Sequence, residues 1–365
     1  MSARPVDMTV QTGASGRAAV LPAARVVAVL LSLSVLALVS LALAARFGDY
    51  PLSLRAAFTD PDSADATIFW SLRLPRALLA ALIGAALASS GCALQGLLRN
   101  PLADPFILGV SGGAALGATV ALALGFGTVG ELVGSGLGEG VAKLSGPAFF
   151  AFLGSVGATA LVFAAGQVRG RTTPYAALLT GVIFNAFAAA AITCIKTLSA
   201  PDKVGEILYW LAGTLGYEQY GTLAIAALFQ VVAVGTLWAL SGRLNLLTLG
   251  DDDAASLGVN VEVTRAALLL AASLSVAGAV ALSGMVGFVG LIVPHVLRLW
   301  LGPDQRLLLP ASILGGASFL TLSDLGARLL FPVFHAEPPV GVITALLGGP
   351  FFLVLLHRRE ARGHL

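Results

Sequence analysis

The sequence predicts an all-α integral membrane protein of about ten transmembrane helices, with both termini on the cytoplasmic side. Three observations predict it. First, 57% of the 365 residues are hydrophobic and only 11% are charged. An ordinary soluble domain is about 45–50% apolar and about 25% charged, and mean hydropathy here is +0.91. Second, the apolar residues gather into ten runs, most of them near the roughly 20 residues that one bilayer-spanning helix needs. Third, the basic residues are biased toward alternate loops. The 43 glycines suit helices that pack closely in lipid.

Taken in order, residues 1–25 are polar and patternless and read as a disordered cytoplasmic tail. Val26–Ala45 is the first span. It is longer than the roughly 7–15 residues of a signal-peptide core, so it is read as retained. The following runs are Ala77–Leu94, Phe106–Phe126, Pro147–Gly166, Ala176–Leu198, Gly221–Leu240, Ala266–Ser283, Val286–Trp300, Leu307–Leu325 and Val340–Leu356. The apolar stretch from Ala266 to Pro294 is too long for one span at a rise of about 1.5 Å per residue. Ser283-Gly284 and Gly287 offer a turn there, which leaves the eighth helix short. The ten-helix membrane domain is thus 26–356, with its longest cytoplasmic loop at about 243–264 and a cytoplasmic tail at 357–365.

An even number of spans puts both ends on one side. With the N-terminus inside, the cytoplasmic segments carry thirteen of the 21 Lys and Arg residues and the outer segments eight. That is the excess expected of the inner face. The outer loops also hold most of the acids, among them Asp49, Asp60, Glu206 and Glu337.

Several classes of function are disfavoured. An ion-coupled carrier keeps ionisable groups inside its spans, and here the span centres are nearly bare. Direct use of ATP needs a phosphate-cradling GxxxxGK[ST] loop. The lysines follow Ala142, Ile195 and Asp202, so no Gly-Lys pair exists. Cys92 and Cys194 have no disulfide or metal spacing, and the four histidines, His295 among them, are scattered. No catalytic residue, metal site or cofactor is read in this chain. A net charge of +2 gives no reason to expect nucleic acid. A membrane subunit driven by a separate ATPase fits both absences; a secondary carrier or a scaffolding membrane protein is the rival.

Four places carry motifs. Arg73-Leu74-Pro75-Arg76 opens the second span; at helical spacing the two arginines share a face. They could snorkel to headgroups or offer guanidinium forks to a partner's carboxylates. Gly91 to Pro105 closes that span with Arg99-Asn100-Pro101-Leu102-Ala103-Asp104-Pro105, and Thr172-Thr173-Pro174 precedes the fifth span; both suit ordinary turns. Asp251-Asp252-Asp253-Ala254-Ala255-Ser256-Leu257-Gly258 lies in the long inner loop. Acids favour a helix start and Gly258 suits its C-terminal cap. Asn185 is the main polar side chain of the fifth span, beside the small residues Ala186 and Ala188 to Ala191.

These stretches, with Trp210 to Leu215, Gly287 to His295 and Pro339 to Phe352, resemble the FecCD-type permeases of bacterial ABC importers, which carry iron–siderophore complexes, haem and cobalamin. The resemblance runs from about Val26 to Leu356. It implies an ABC type II importer permease fold. It implies a homodimer in the bacterial inner membrane, two copies of a cytoplasmic ABC ATPase that hold ATP and magnesium, and a periplasmic or lipid-anchored substrate-binding protein. By the same resemblance Asp253, Ala254, Ala255, Leu257 and Gly258 couple to the ATPase, with Asp253 where Glu is usual. Arg73, Arg76 and Arg328 dock the binding protein at a solvent-accessible outer rim. Asn100, Leu102, Thr172 and Thr173 narrow the cytoplasmic gate, and Asn185 lines the translocation path.

Overall fold

The structure, a computed structural model, describes residues 23–133, 145–168, 171–172 and 174–360. Ten apolar helices coincide with the ten runs. They are α1 (Ala23–Arg46), α2 (Leu74–Leu97), α3 (Val110–Leu124), α4 (Gly146–Ala165), α5 (Pro174–Leu198), α6 (Tyr220–Ala239), α7 (Val261–Ser283), α8 (Val289–Leu301), α9 (Gln305–Leu329) and α10 (Val340–Glu360). Seven are long and apolar enough to cross a membrane; α3, α8 and the apolar part of α10 are shorter. The first tail lies almost wholly outside the described residues. The last helix continues beyond Leu356 to Glu360, so residues expected in the C-terminal tail extend it.

The second span is the centre of the fold. α2 packs against α1, α6, α7, α8 and α9, and nineteen of its residues are buried. Small residues make this possible. A Cβ on Gly84 would sit 2.2 Å from the Gly316 carbonyl of α9, and one on Gly91 would sit 1.9 Å from the Gly290 carbonyl of α8. Backbones that approach this closely pack by van der Waals contact, the main attraction between helices in lipid. The large buried side chains Leu79, Ile83, Leu87, Leu94, Leu268, Leu308 and Leu320 fill the same region. By contrast α1, α4, α5 and α6 keep most of their surface uncovered: only 11% of the α1 window and 17% of the α5 window is buried.

The apolar run from 266 breaks where the glycines stand. α7 stops at Ser283, Gly284 takes φ +63, and the chain runs without helix to Phe288 at φ +69. α8 then has 13 residues, about 20 Å at the helical rise, and cannot cross a hydrocarbon core of about 30 Å alone. Non-helical backbone at this depth needs protein around it, and Gly284 and Val286 are buried. The shorter pieces form the ends: Leu54–Thr59, Ala64–Thr67 and a π-helix Ile68–Arg73 outside, and Ser241–Leu249 and Asp251–Ser256 inside. Phe58, Phe69 and Trp70 stack edge to face or tilted in the outer group, as aromatic residues do at a membrane interface.

Candidate functional site: an outer ionic node, a central junction and an inner coupling surface

At the outer end the structure brings Arg73, Arg76 and Arg328 together, but it buries them. They are 4%, 6% and 2% exposed. Arg76 Nε donates to Asp324 Oδ1 at 3.0 Å, and Arg328 Nε lies 3.1 Å from Asp324 Oδ2. Asp324 therefore joins α2 to α9. Arg76 Nη1 also meets Glu337 Oε2 at 2.9 Å and the Tyr217 hydroxyl at 3.2 Å. Arg328 donates to the carbonyls of Ala44 and Phe47, and Arg73 to those of Arg46 and Tyr50. Arg73 and Arg328 thus staple the end of α1 to α2 and α9, and Arg76 ties α2 to α9. The expected solvent-facing rim is corrected, and so is the headgroup-snorkelling alternative, because each fork is engaged inside the chain. Of this cluster Tyr217, 56% exposed, Glu337, with a side chain 23% exposed, and Asp49, 46% exposed, reach toward solvent. Asp324 and Arg328 stand at i, i+4, a spacing that was readable beforehand; Glu337 gave no local signal.

The three glycine-rich motifs of the second half meet at one junction. The Thr214 amide donates to Ser283 O at 2.8 Å, and the Gly341 amide to Gly213 O at 3.1 Å. The Phe288 ring packs where a side chain on Gly348 would stand. Gly213 takes φ +79, and a Cβ there would lie 2.4 Å from the Met285 carbonyl. Three non-helical turns therefore satisfy one another's backbone in place of water. Nearby, Gln95 Nε2 donates to the carbonyls of Gly290 and Leu291, tying α2 to the first turn of α8.

Asn185 does not point along the uncovered side of α5. Its Nδ2 donates to Phe106 O at 3.1 Å, and its Oδ1 lies against Gly112, where a Cβ would come within 2.3 Å. Asn185 thus fastens α5 to α3. The uncovered face of α5 carries Leu179, Val182, Ile183 and Phe187 instead.

On the inner side the Asn100 side chain accepts the Leu102 amide at 3.0 Å, the turn chemistry expected of Asn before Pro. Leu102 lines an apolar crevice with Pro101, Ile292, His295, Phe351 and Phe352. Burial pushes the Asp104 carboxyl above the usual carboxylate range, and the Phe106 N–H that it accepts pulls it partly back. Thr172 pairs with Gln167 in a two-strand hairpin that packs on α5 and α7. Thr173 lies outside the described residues.

The long inner loop forms the helix Asp251–Ser256 with three acids in its first turn. Asp253, Ala255 and Gly258 are exposed, and Leu257 is 59% exposed. Ala254 is 0% exposed and faces its own chain, which corrects its place on the contact surface. Gly258 takes φ +84. Its amide donates to Ala255 O and the Val259 amide to Ala254 O, the paired bonds that end a helix at glycine. Among the described residues no group of three or more His, Cys, Asp or Glu is placed to hold a metal.

A ten-span bundle with an exposed, acid-started helix on its inner loop and three interlocked turns at its centre has the form of a membrane permease. Residues 30–358 match the FecCD transport family. The chain belongs to that family, whose members are membrane permeases of ABC transporters; it is a transport subunit rather than an enzyme. It is 42% identical to the cobalamin import system permease protein of Halobacterium salinarum, over 84% of this chain and 77% of that one. It is 40% identical to the hemin transport system permease protein of Yersinia pestis, over 89% and 94%. It is 32% identical to the molybdate import system permease protein of Haemophilus influenzae, over 92% and 97%. A solved metal-chelate type ABC transporter in an inward-facing conformation superposes with a TM-score of 0.75 at 32% identity, covering 91% of this chain and 99% of that one. An ABC permease implies an ATPase and a substrate-binding protein as partners.

Proposed function

We propose that two copies of this chain form the path by which a bacterial inner-membrane importer moves a bulky iron–siderophore, haem or cobalamin. A separate pair of ATPases holds the ATP and magnesium and drives it. The inner loop helix carries this reading. Asp253, Ala255, Leu257 and Gly258 present a small, exposed surface with no role in the chain's own packing, as a helix that seats in another protein's groove requires. The uncovered apolar face of α5, with Leu179, Val182, Ile183 and Phe187, supports a second copy packed there. Asn100, Leu102 and Thr172, with Thr173, narrow the path on the cytoplasmic side. A binding protein docks at the outer end, where its carboxylates compete with Glu337 for Arg76.

Ala255→Arg tests the reading. The long charged side chain should block the ATPase groove, abolishing uptake in proteoliposomes while leaving the permease folded. Normal uptake by this variant would reject the assignment of the helix. Cargo is decided separately, by measuring which of the three ligand classes stimulates ATP hydrolysis in the complete transporter.

A further inference from the structure

The last turn of α2 ends in an unusual way. The Arg99 amide donates to Gly96 O and the Asn100 amide to Gln95 O, the same paired closure seen at Gly258. The residue in the left-handed position is here Arg99, at φ +49, where glycine or asparagine is usual. A backbone held in a disfavoured region needs surroundings that fix it, and such positions cluster at functional elements. The Arg99 side chain supplies the fixing contacts. Its Nε and Nη2 donate to Leu247 O at 3.2 and 2.7 Å, at the carbonyl end of the helix Ser241–Leu249. Nη2 also meets Asp251 Oδ1 at 3.1 Å. The other oxygen of Asp251 accepts Arg265 Nη2 of α7 at 2.7 Å, and Arg265 Nη1 lies 3.5 Å from Glu262.

Asp251 is the first residue of the inner loop helix, directly after Gly250 at φ +148. Arg99 directly precedes the Asn100-Pro101-Leu102 turn. One carboxylate therefore ties the loop helix to the start of α7 and to the turn at the end of α2. We infer that the Arg99–Asp251–Arg265 bridge is the link that carries motion of the loop helix to the Asn100–Leu102 turn, with Arg99 as the positioning residue. The inference rests on the reading of that helix as the ATPase contact. The Arg265 side chain is 8% exposed, but the Arg99–Asp251 arm is half in water, with side chains 48% and 52% exposed. Its role is thus directional rather than a large share of fold stability. The helix face at Asp253, Ala255 and Leu257 is separate from it, so breaking the bridge leaves the ATPase seated.

The test uses the complete transporter in proteoliposomes, with Arg99→Gly, Asp251→Asn, the double variant, and Ala255→Arg for comparison. Glycine fits the left-handed backbone, so Arg99→Gly should fold at least as well as wild type. Arg99→Gly and Asp251→Asn should each keep ligand-stimulated ATP hydrolysis within about twofold, while cargo moved per ATP falls at least tenfold. The double variant should be no worse than the worse single, as for residues acting through one contact. Asp251→Glu should recover part of the ratio. Unchanged cargo per ATP in Arg99→Gly and Asp251→Asn, with Ala255→Arg inactive, would overturn the bridge and leave the helix reading standing. Full uptake by Ala255→Arg would instead overturn the helix reading. Parallel loss of folded protein, hydrolysis and uptake in both bridge variants would reduce the bridge to a fold contact.

Discussion

Replacing Asp324 with alanine removes the one carboxylate shared by Arg76 and Arg328. Asp324 is 0% exposed and the two arginine side chains 7% and 3%, so water cannot take its place without opening the α2–α9 contact. Breaking a buried ion pair by deleting one partner costs about 3–5 kcal/mol. Here each guanidinium keeps other acceptors. Arg76 still meets Glu337 and Tyr217, and Arg328 still meets two α1 carbonyls. The expected cost is therefore near the lower bound, about 3 kcal/mol, or roughly a hundredfold in the ratio of folded to unfolded protein. Asp324→Asn keeps an acceptor but loses the charge, and should cost about 1.5–3 kcal/mol, the worth of a hydrogen bond to a charged group. Glu337→Ala removes a partly exposed partner and should cost about 0–1 kcal/mol. Thermal unfolding of the detergent-purified protein, followed by the loss of the monodisperse size-exclusion peak, gives the ranking. A midpoint for Asp324→Ala equal to that of Glu337→Ala would refute the view that the outer arginines are internal staples.

Other consequences are open to equally direct tests. Asn185→Ala should lower stability by about 1 kcal/mol through the lost bond to Phe106 while leaving uptake per folded transporter unchanged; a selective loss of uptake would place Asn185 on the path. Gly91→Val should disrupt the α2–α8 approach through backbone displacement, at about 1–3 kcal/mol or more, visible as a fall in folded yield. Gly258→Ala has open space around it yet keeps a positive φ, so it should cost about 1–2 kcal/mol. Limited proteolysis should then cut the loop around Asp251–Gly258 sooner, and an unchanged cleavage rate would argue against strain there.

The spans were legible because each is decided locally, by a long apolar run between polar ends. Even the split at Ser283-Gly284 was readable, since a run too long for one helix must turn where glycine allows it. The short helix Asp251–Ser256 followed from acids at a helix start and a glycine at its end. What failed was direction. Arg76 near an outer surface looks solvent-facing until Asp324, 248 residues away, is known to meet it, and Arg73 until the carbonyls of Arg46 and Tyr50 are placed beside it. Asn185 gives no sign in the sequence of the Gly112 and Phe106 backbone that it packs against. Side-chain partners set by tertiary approach leave no periodic trace, and neither does the pairing of Arg99 with Asp251.

The stapling of α1 also sets a timetable for assembly. The Arg73 bond to the Arg46 carbonyl spans 27 residues, whereas the Arg328 bond to the Ala44 carbonyl spans 284. At about 5–20 residues per second of synthesis, the first closes roughly 1–5 s after α1 emerges and the second only after about 14–57 s. In that interval α1 sits in the bilayer held by its neighbour alone, and its final clasp waits for the ninth span to be delivered. A ribosome that stalls before α9 therefore leaves the first helix inserted but unlocked, which is the form a membrane protease would meet.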